Sequence, residues 1–349
     1  MSTNAKLAAL AALAALLLVG SVWAYANSTS RGDRFQRGQL LLPNLIPDEV
    51  ATITIAQADE VTTLHRRGDA FLVSETHDYP ARNESVNRLL RDLLQIELEK
   101  EVGRGVGLAA ELEIDPPTDD TVDVTLMNST EQEMVRLRIG KSVSDGTGRY
   151  VQRLDVESAS IYLTTAGVFL STGSSAYLQK EVVDHSQDEV QRILGSDFEM
   201  AVEETGGSLR LLNVPIGFTE KSIETNKLQS ILTRLRFDEV FLADDLEVRD
   251  LRFDTNLRVD LKDGTRYRLS LATRDDRHFL RIVGAHSLDR VEITIDTPEE
   301  ELREKADQLS RAEEVREFDA FHGSWVYEIS SVTADKLRLT RSDLLEDEV

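Results

Sequence analysis

The chain has 349 residues, 41% hydrophobic and 30% charged, with 40 basic against 63 acidic side chains and a formal net charge of −23. That length accommodates two domains of ordinary size, and the composition is globular rather than disordered. The anionic balance disfavours nucleic acid and acidic membrane surfaces as nonspecific partners, and the absence of cysteine excludes disulfides, thiolate catalysis and thiolate metal sites.

Leu7 to Ala26 is a run of twenty residues without a charge, about 30 Å as a helix and enough to cross the hydrocarbon core of a bilayer. Residues 1–26 therefore read as a transmembrane anchor or a signal peptide. Ala24-Tyr25-Ala26 supplies the small-x-small end of a signal peptide. Trp23 and Tyr25 suit the interface of a retained anchor, and the length of the run favours that second reading. Either way, the remainder is expected outside the cytoplasm, held at the inner (cytoplasmic) membrane by a single span.

Residues 27–40 are polar and Gly-containing and read as a stalk. Gln39 to Pro47 is apolar and proline-bracketed, an extended segment expected to dock on the first domain. Ala51 to Ala56, Val61 to Arg66 and Ala70 to Glu75 alternate as a meander of three strands.

The stretch from Tyr79 to Val102 organises the rest of the chain. Val86, Leu89, Leu90, Leu93, Leu94 and Leu98 fall on one face of a 3.6-residue period, which predicts a helix starting at Asn83 with an apolar stripe against a sheet. Pro215 to Phe241 repeats the device, with Ile223, Leu228, Ile231, Leu232 and Leu235 as a thinner stripe. After the first helix, Gly103 to Asp120 reads as a loop. Val122 to Leu126 and Val135 to Ile139 then form a hairpin, and Arg149 to Arg153 and Ile161 to Thr164 complete a sheet.

The same order restarts near Asp188. Strands are expected at Phe198 to Glu203 and Ser208 to Asn213, around Gly206-Gly207. Alternating runs flank Asp263-Gly264, the signal of a tight hairpin whose two turn residues take positive φ. His278 to Val283 makes the next strand. An insertion holds a strand-like Arg290 to Ile295 and a charged helix near 298–320, over Glu299 to Phe318, the helix facing solvent or a partner. Ser324 to Ser330, beyond the insertion, is the counterpart of the first unit's strand at Ser160 to Thr164, and Thr333 to Leu345 a closing helix before an acidic tail. The expected fold is α+β: an N-terminal transmembrane helix, then two tandem units, residues 41–183 and 184–349, each a mainly antiparallel sheet with one principal helix.

Each chemical motif has a plainer explanation. His65, His77, His185, His278, His286 and His322 are scattered without metal-ligand spacing. Asp184-His185-Ser186 has hydrolase residue types, yet adjacency does not align a triad and no Gly-x-Ser-x-Gly elbow exists. Gly103-Arg104-Gly105-Val106-Gly107 lacks the Lys-Ser/Thr of a phosphate loop and reads as a helix stop. Asp115 to Asp120 and Asp244-Asp245 lack an EF-hand pattern. No catalytic, cofactor-binding or metal-binding residue is assigned, and no cofactor is expected.

LLLPNLIPDEVATITI after the apolar helix, Phe71, the Asp78-Tyr79-Pro80 turn, Gly140-Lys141, GRYV at 148–151 and the terminal WVYEIS...TADKLRLTRSDLL together resemble domain-of-unknown-function family 4340. The resemblance implies a single-span envelope protein and, for some members, a component encoded beside ABC transporters; it implies no catalytic residues. The expectation is a non-enzymatic, membrane-anchored scaffold or accessory subunit with a protein partner in the envelope. The alternative is a module that binds an envelope sugar or cell-wall fragment.

Overall fold

The computed structural model describes residues 36–144, 146–202, 208–287 and 298–348. It is a mixed α+β structure of mainly antiparallel sheets with few helices. The apolar run Leu7–Ala26, the stalk up to residue 35, the Gly206-Gly207 turn and the run Arg290–Ile295 lie outside the described residues. Among the described residues no helix is long and apolar enough to cross a membrane. The chain divides into two compact units, one holding residues up to Phe71 and Asn83–Ala176, the other Leu72–Arg82 and Tyr177–Val349.

Unit 1 contains β1 (Gln39–Leu40), β2 (Thr52–Gln57) and β3 (Glu60–Arg67). The chain then leaves through β4 (Ala70–Val73) and β5 (Tyr79–Pro80) and returns as α1 (Asn83–Leu94), β6 (Glu97–Gly103), α2 (Val106–Glu111), β7 (Val122–Met127), β8 (Glu133–Ser142), β9 (Arg149–Arg153) and β10 (Ile161–Thr164). Its strands pair antiparallel in the order β1-β6-β10-β9-β8-β7-β2-β3. The alternation seen in the sequence sets the faces: Ile53, Ile55, Val124, Leu126, Leu137, Ile139 and Val151 are buried, together with Val86, Leu89, Leu90 and Leu93 of α1. The Gln39–Pro47 segment docks as expected, through β1 on β6 and through buried Leu41 and Leu42.

Two expectations for unit 1 are corrected. The helix stops at Leu94, and Leu98, counted in its stripe, belongs to β6. Ile96 and Leu98 are both buried while Glu97 is exposed, so a period of two takes over where the helical stripe thins. The stretch Gly103 to Asp120 holds α2, whose Ala109, with Leu112 and Ile114 beyond its end, packs on Ile161. That apolar contact supplies what a solvated loop lacks.

Unit 2 contains β11 (Glu181–Val183), β12 (Val190–Leu194), β13 (Glu199–Val202), β14 (Leu209–Leu211), β15 (Phe218–Glu220), α3 (Ser222–Gln229), β16 (Leu235–Arg236) and β17 (Glu239–Leu242). There follow β18 (Thr255–Leu261), β19 (Thr265–Arg274), β20 (Arg277–His286), α4 (Glu299–His322), β21 (Trp325–Ile329), α5 (Ser331–Leu337) and β22 (Leu345–Asp347). The main sheet runs β14-β13-β12-β18-β19-β20-β21-β17, all antiparallel. Seven of its strands, β17-β21-β20-β19-β18-β12-β13, follow the same chain order and spatial order as β6-β10-β9-β8-β7-β2-β3. In each unit one helix, α1 or α3, lies between the second and third of those strands in the chain.

Corrections in unit 2 concern lengths and faces. Helix α3 is eight residues long rather than reaching Leu235, and Ile223 is 68% exposed while Leu228, Ile231, Leu232 and Leu235 are buried. Ile231 and Leu232 reach the core from consecutive turns, not from a continuous helix. The Asp263-Gly264 hairpin stands where expected, but only Gly264 has positive φ (+91°). Gly264 N–H donates to Leu261 O, so the connection is a turn over Leu261–Gly264 closed by a left-handed glycine.

Helix α4 reaches His322 and does not simply face solvent. Its C-terminal part packs on β20, where a Cβ on Gly284 would stand 3.0 Å from Phe318 and 3.2 Å from Val315. The acidic end is no free tail either, since β22 pairs with β15.

These burials give a paired test by urea denaturation. Leu228→Ala is expected to cost about 2–5 kcal/mol of stability as a buried truncation, and Ile223→Ala less than about 0.5 kcal/mol as a surface change. Equal losses would contradict the two-turn α3.

Candidate functional site

The histidines do not converge. His65 lies in β3; His77 Nε2 is 3.4 Å from Asp245 Oδ2; His278 Nδ1 is 3.0 Å from Arg338; and His286 Nε2 is 3.1 Å from Asp263 O. Among the described residues, no group of three or more His, Asp or Glu side chains is arranged to hold a metal ion.

Asp184, His185 and Ser186 turn to separate tasks. Asp184 Oδ1 accepts from Arg234 N–H, and Ser186 Oγ donates to Glu189 Oε1 at 2.9 Å. His185 spans Glu189 Oε2 (2.8 Å) and the Tyr267 hydroxyl (3.1 Å). The His185 contact, foremost, holds the Glu189 carboxyl below the usual carboxylate range, while burial pushes the Tyr267 phenol up to about 12. No nucleophile–base pair results.

The glycine run at 103–107 joins a strand to a helix instead of stopping one, and Arg104 pairs with Glu101. In the 115–120 loop, Thr118 donates to Glu113, and Asp120 O accepts from Arg149. Asp245 Oδ2 accepts from Leu242 N–H. These carboxylates and carbonyls serve turns.

Unit 2 instead holds a buried aromatic and polar chain that the sequence did not reveal. His77 and Asp78, at φ +54° and +61°, make a left-handed turn between β4 and β5 and bring Tyr79 inside. Its ring lies 5.4 Å from Phe237, 5.0 Å from Trp325, 5.6 Å from Phe321 and 6.4 Å from Tyr327. Tyr327 OH lies 2.5 Å from His322 Nδ1. Burial pushes Tyr79 up to about 12, raises Tyr327 as well, and pushes His322 down to about 4. The chain is thus neutral near pH 7. Tyr79, Tyr327 and His322 are all buried, and backbone bonds between Arg82 and Tyr177 and between Gln179 and Pro80 fasten residues 72–82 beside them.

The exposed counterpart is the tip Asn213–Phe218. Phe218 N–H donates to Pro215 O and Gly217 has φ +87°, so Pro215-Ile216-Gly217-Phe218 is a tight turn with glycine at its third position. Ile216 at the second position is fully exposed (104%), and Val214, Phe218 and Ile223 are exposed beside it. The tip is held from the C-terminal segment: Glu348 N–H donates to Gly217 O, and the Arg341 guanidinium to Asn213 O. Of three acidic residues beside it, Glu346 and Asp347 lie in β22, opposite Thr219 and Phe218, and Glu348 follows; none forms an ion pair among the described residues. The sequence signal is an isoleucine between proline and glycine, which by itself reads only as the approach to α3.

A family model described as a domain of unknown function, DUF4340, matches residues 72–277, more than half of the chain. The chain belongs to the DUF4340 family. No curated protein and no solved structure matches it. The DUF4340 match opens at Leu72, where the chain enters unit 2, and takes in Tyr79, Phe237 and the whole 213–218 tip. It closes at Arg277, so Trp325, Tyr327 and His322, the other half of the buried chain, lie beyond it.

The His322 environment sets a pH dependence. The unfolded chain protonates histidine near pH 6.5 and unit 2 only near pH 4, so the unfolded state binds more protons between those values. The stabilisation is complete above about pH 6.5 and is lost as pH falls toward 4, by about 3 kcal/mol in all. His322→Gln, which keeps an acceptor for Tyr327, is expected to flatten that part of a urea-midpoint profile between pH 7 and 4; an unchanged profile would assign the dependence to other groups.

Proposed function

We propose that this DUF4340 protein is a non-enzymatic, membrane-anchored scaffold or accessory subunit of an envelope complex, with its units on the extracytoplasmic side of the inner membrane. The observation that carries the reading is the 213–218 tip: exposed apolar side chains on and beside a turn fixed by hydrogen bonds from the C-terminal segment. A flexible loop would gain little by exposing Ile216, whereas a preformed apolar projection loses little entropy on docking. Glu346, Asp347 and Glu348 beside it, which form no ion pair among the described residues, select the occupant. It is a partner protein with an apolar pocket rimmed by Lys and Arg, since a zwitterionic lipid surface offers no net charge to match.

The uncharged run Leu7–Ala26 supports attachment of the chain to the same membrane as that partner. An ABC-transporter-associated system is the complex that the family resemblance brings forward. The shared order of seven strands supports a tandem duplication, in which two similar sheets came to carry different surfaces.

The test is photocrosslinking from position 216 of the full-length protein in its native membrane, beside the same protein lacking residues 1–26 and a control crosslinker at Glu304. The expected result is one protein adduct specific to 216, mapped to an apolar peptide flanked by basic residues, lost on truncation and weakened by Glu346→Lys with Asp347→Lys. Ile216→Asp is expected to leave stability within about 0.5 kcal/mol and to cut adduct yield by about tenfold or more, as at an interface hot spot. Lipid adducts, self-adducts, or equal labelling from 304 would overturn the assignment.

A further inference from the structure

Unit 1 carries a separate cavity of about 330 Å³, between the end of α1 and the chain that follows β10. It is lined by Asp92, Gln95 and Glu97 on one side and by Thr164–Phe169 on the other. The second wall is fixed from behind. The half-buried Arg149 guanidinium donates to Gly140 O (2.9 and 2.6 Å), Asp120 O (3.0 Å) and Val168 O (3.4 Å). Thr165 N–H donates to Glu97 O, and Thr164 Oγ1 to Ala166 O.

On this fixed segment Val168 is buried and Phe169 is 80% exposed. The ring stands against Gly167, where a Cβ would lie 2.4 Å from Phe169 Cε2, so any larger residue there would displace it. A large aromatic ring thus borders a cavity while most of its surface stays in water, at the cost of the burial it forgoes. Asp92 and Glu97 are exposed and form no ion pair among the described residues. The Gln95 amide adds a neutral hydrogen-bonding group to the same wall.

An open aromatic face attracts a cation through its quadrupole, and does so more strongly once the cation is partly desolvated. Unpaired carboxylates at the same cavity add attraction for positive charge and reject anions. We propose that this cavity binds a small organic ammonium ion, with the cation over the Phe169 ring and its charge facing Asp92 and Glu97. The volume suits a head group the size of tetramethylammonium or an alkylammonium. This site is independent of the docking tip, and the failure of either leaves the other standing. A neutral pyranose is the competing occupant: it would use the same ring through its C–H face and the same polar wall through its hydroxyls.

Titration calorimetry of the full-length protein decides between them, using tetramethylammonium chloride and methyl glucoside as probes, with sodium chloride at matched ionic strength as the reference. The expected result is saturable tetramethylammonium binding with a Kd on the order of 1 mM, weakened about tenfold by Phe169→Ala and retained in Phe169→Tyr. Glu97→Gln with Asp92→Asn is expected to remove most of the salt dependence. Because these side chains are exposed, the variants should keep the parent thermal transition. Heats no different from sodium, binding unchanged in Phe169→Ala, or binding of methyl glucoside alone would each overturn the proposal.

Discussion

The burial of Tyr79 is the constraint on which unit 2 depends. Its ring fills a space bounded by Phe237, Phe321, Trp325 and Tyr327, contributed by segments far apart in the chain. A hydroxyl buried there would be costly alone, but that of Tyr327 meets His322. Backbone bonds fasten the same segment, from Arg82 N–H to Tyr177 O and from Gln179 N–H to Pro80 O. Since Leu72–Arg82 lie between two stretches of unit 1, the core of unit 2 can close only after most of the chain is available. Such long-range closure is entropically expensive and makes for slow folding.

Strands are the legible part of the sequence. Where one face of a sheet is buried and the other wet, apolar residues must alternate, and Ile53, Ile55, Val124, Leu126, Leu137 and Ile139 do so plainly. Helix α1 is legible for the same reason at another period, though Leu98 satisfies both periods and belongs to the strand. Helix α3 looks longer in the sequence than it is because Ile231, Leu232 and Leu235 supply the apolar residues of a helix while lying in turns and a strand. Helix α4 shows only weak spacing because its N-terminal part is wet and its C-terminal part is packed on β20. Its most telling residue, His322, lies beyond the expected end.

The candidate surfaces are less legible, for a physical reason. Position 216 has meaning only because the C-terminal segment returns to hold its turn, and Phe169 only because Arg149 and Gly167 fix what stands behind it. Neither arrangement has a period or a spacing. Both combine one exposed apolar side chain with restraints from distant segments, which a linear reading registers as an ordinary hydrophobic residue near a glycine.

Four arginines of this anionic chain are committed to holding its fold. Arg149 spends its donors on backbone carbonyls, and burial lowers its pKa without freeing it for the surface. Arg138 is forked on Asp123 at 2.6 and 2.7 Å, and Arg258 on Asp260 at 2.7 and 2.8 Å. Arg277 bonds Glu239, Glu247 and Glu328 while stacking on Phe241 and Phe279 at 5.6 and 5.3 Å. Planar guanidinium groups suit such forked and stacked positions better than lysine would. With these cations committed to holding strands and loops, Asp92 and Glu97 in unit 1 and Glu346 to Glu348 in unit 2 form no ion pair among the described residues. Both surfaces therefore carry their negative charge on exposed side chains, while the guanidinium groups are spent inside the fold.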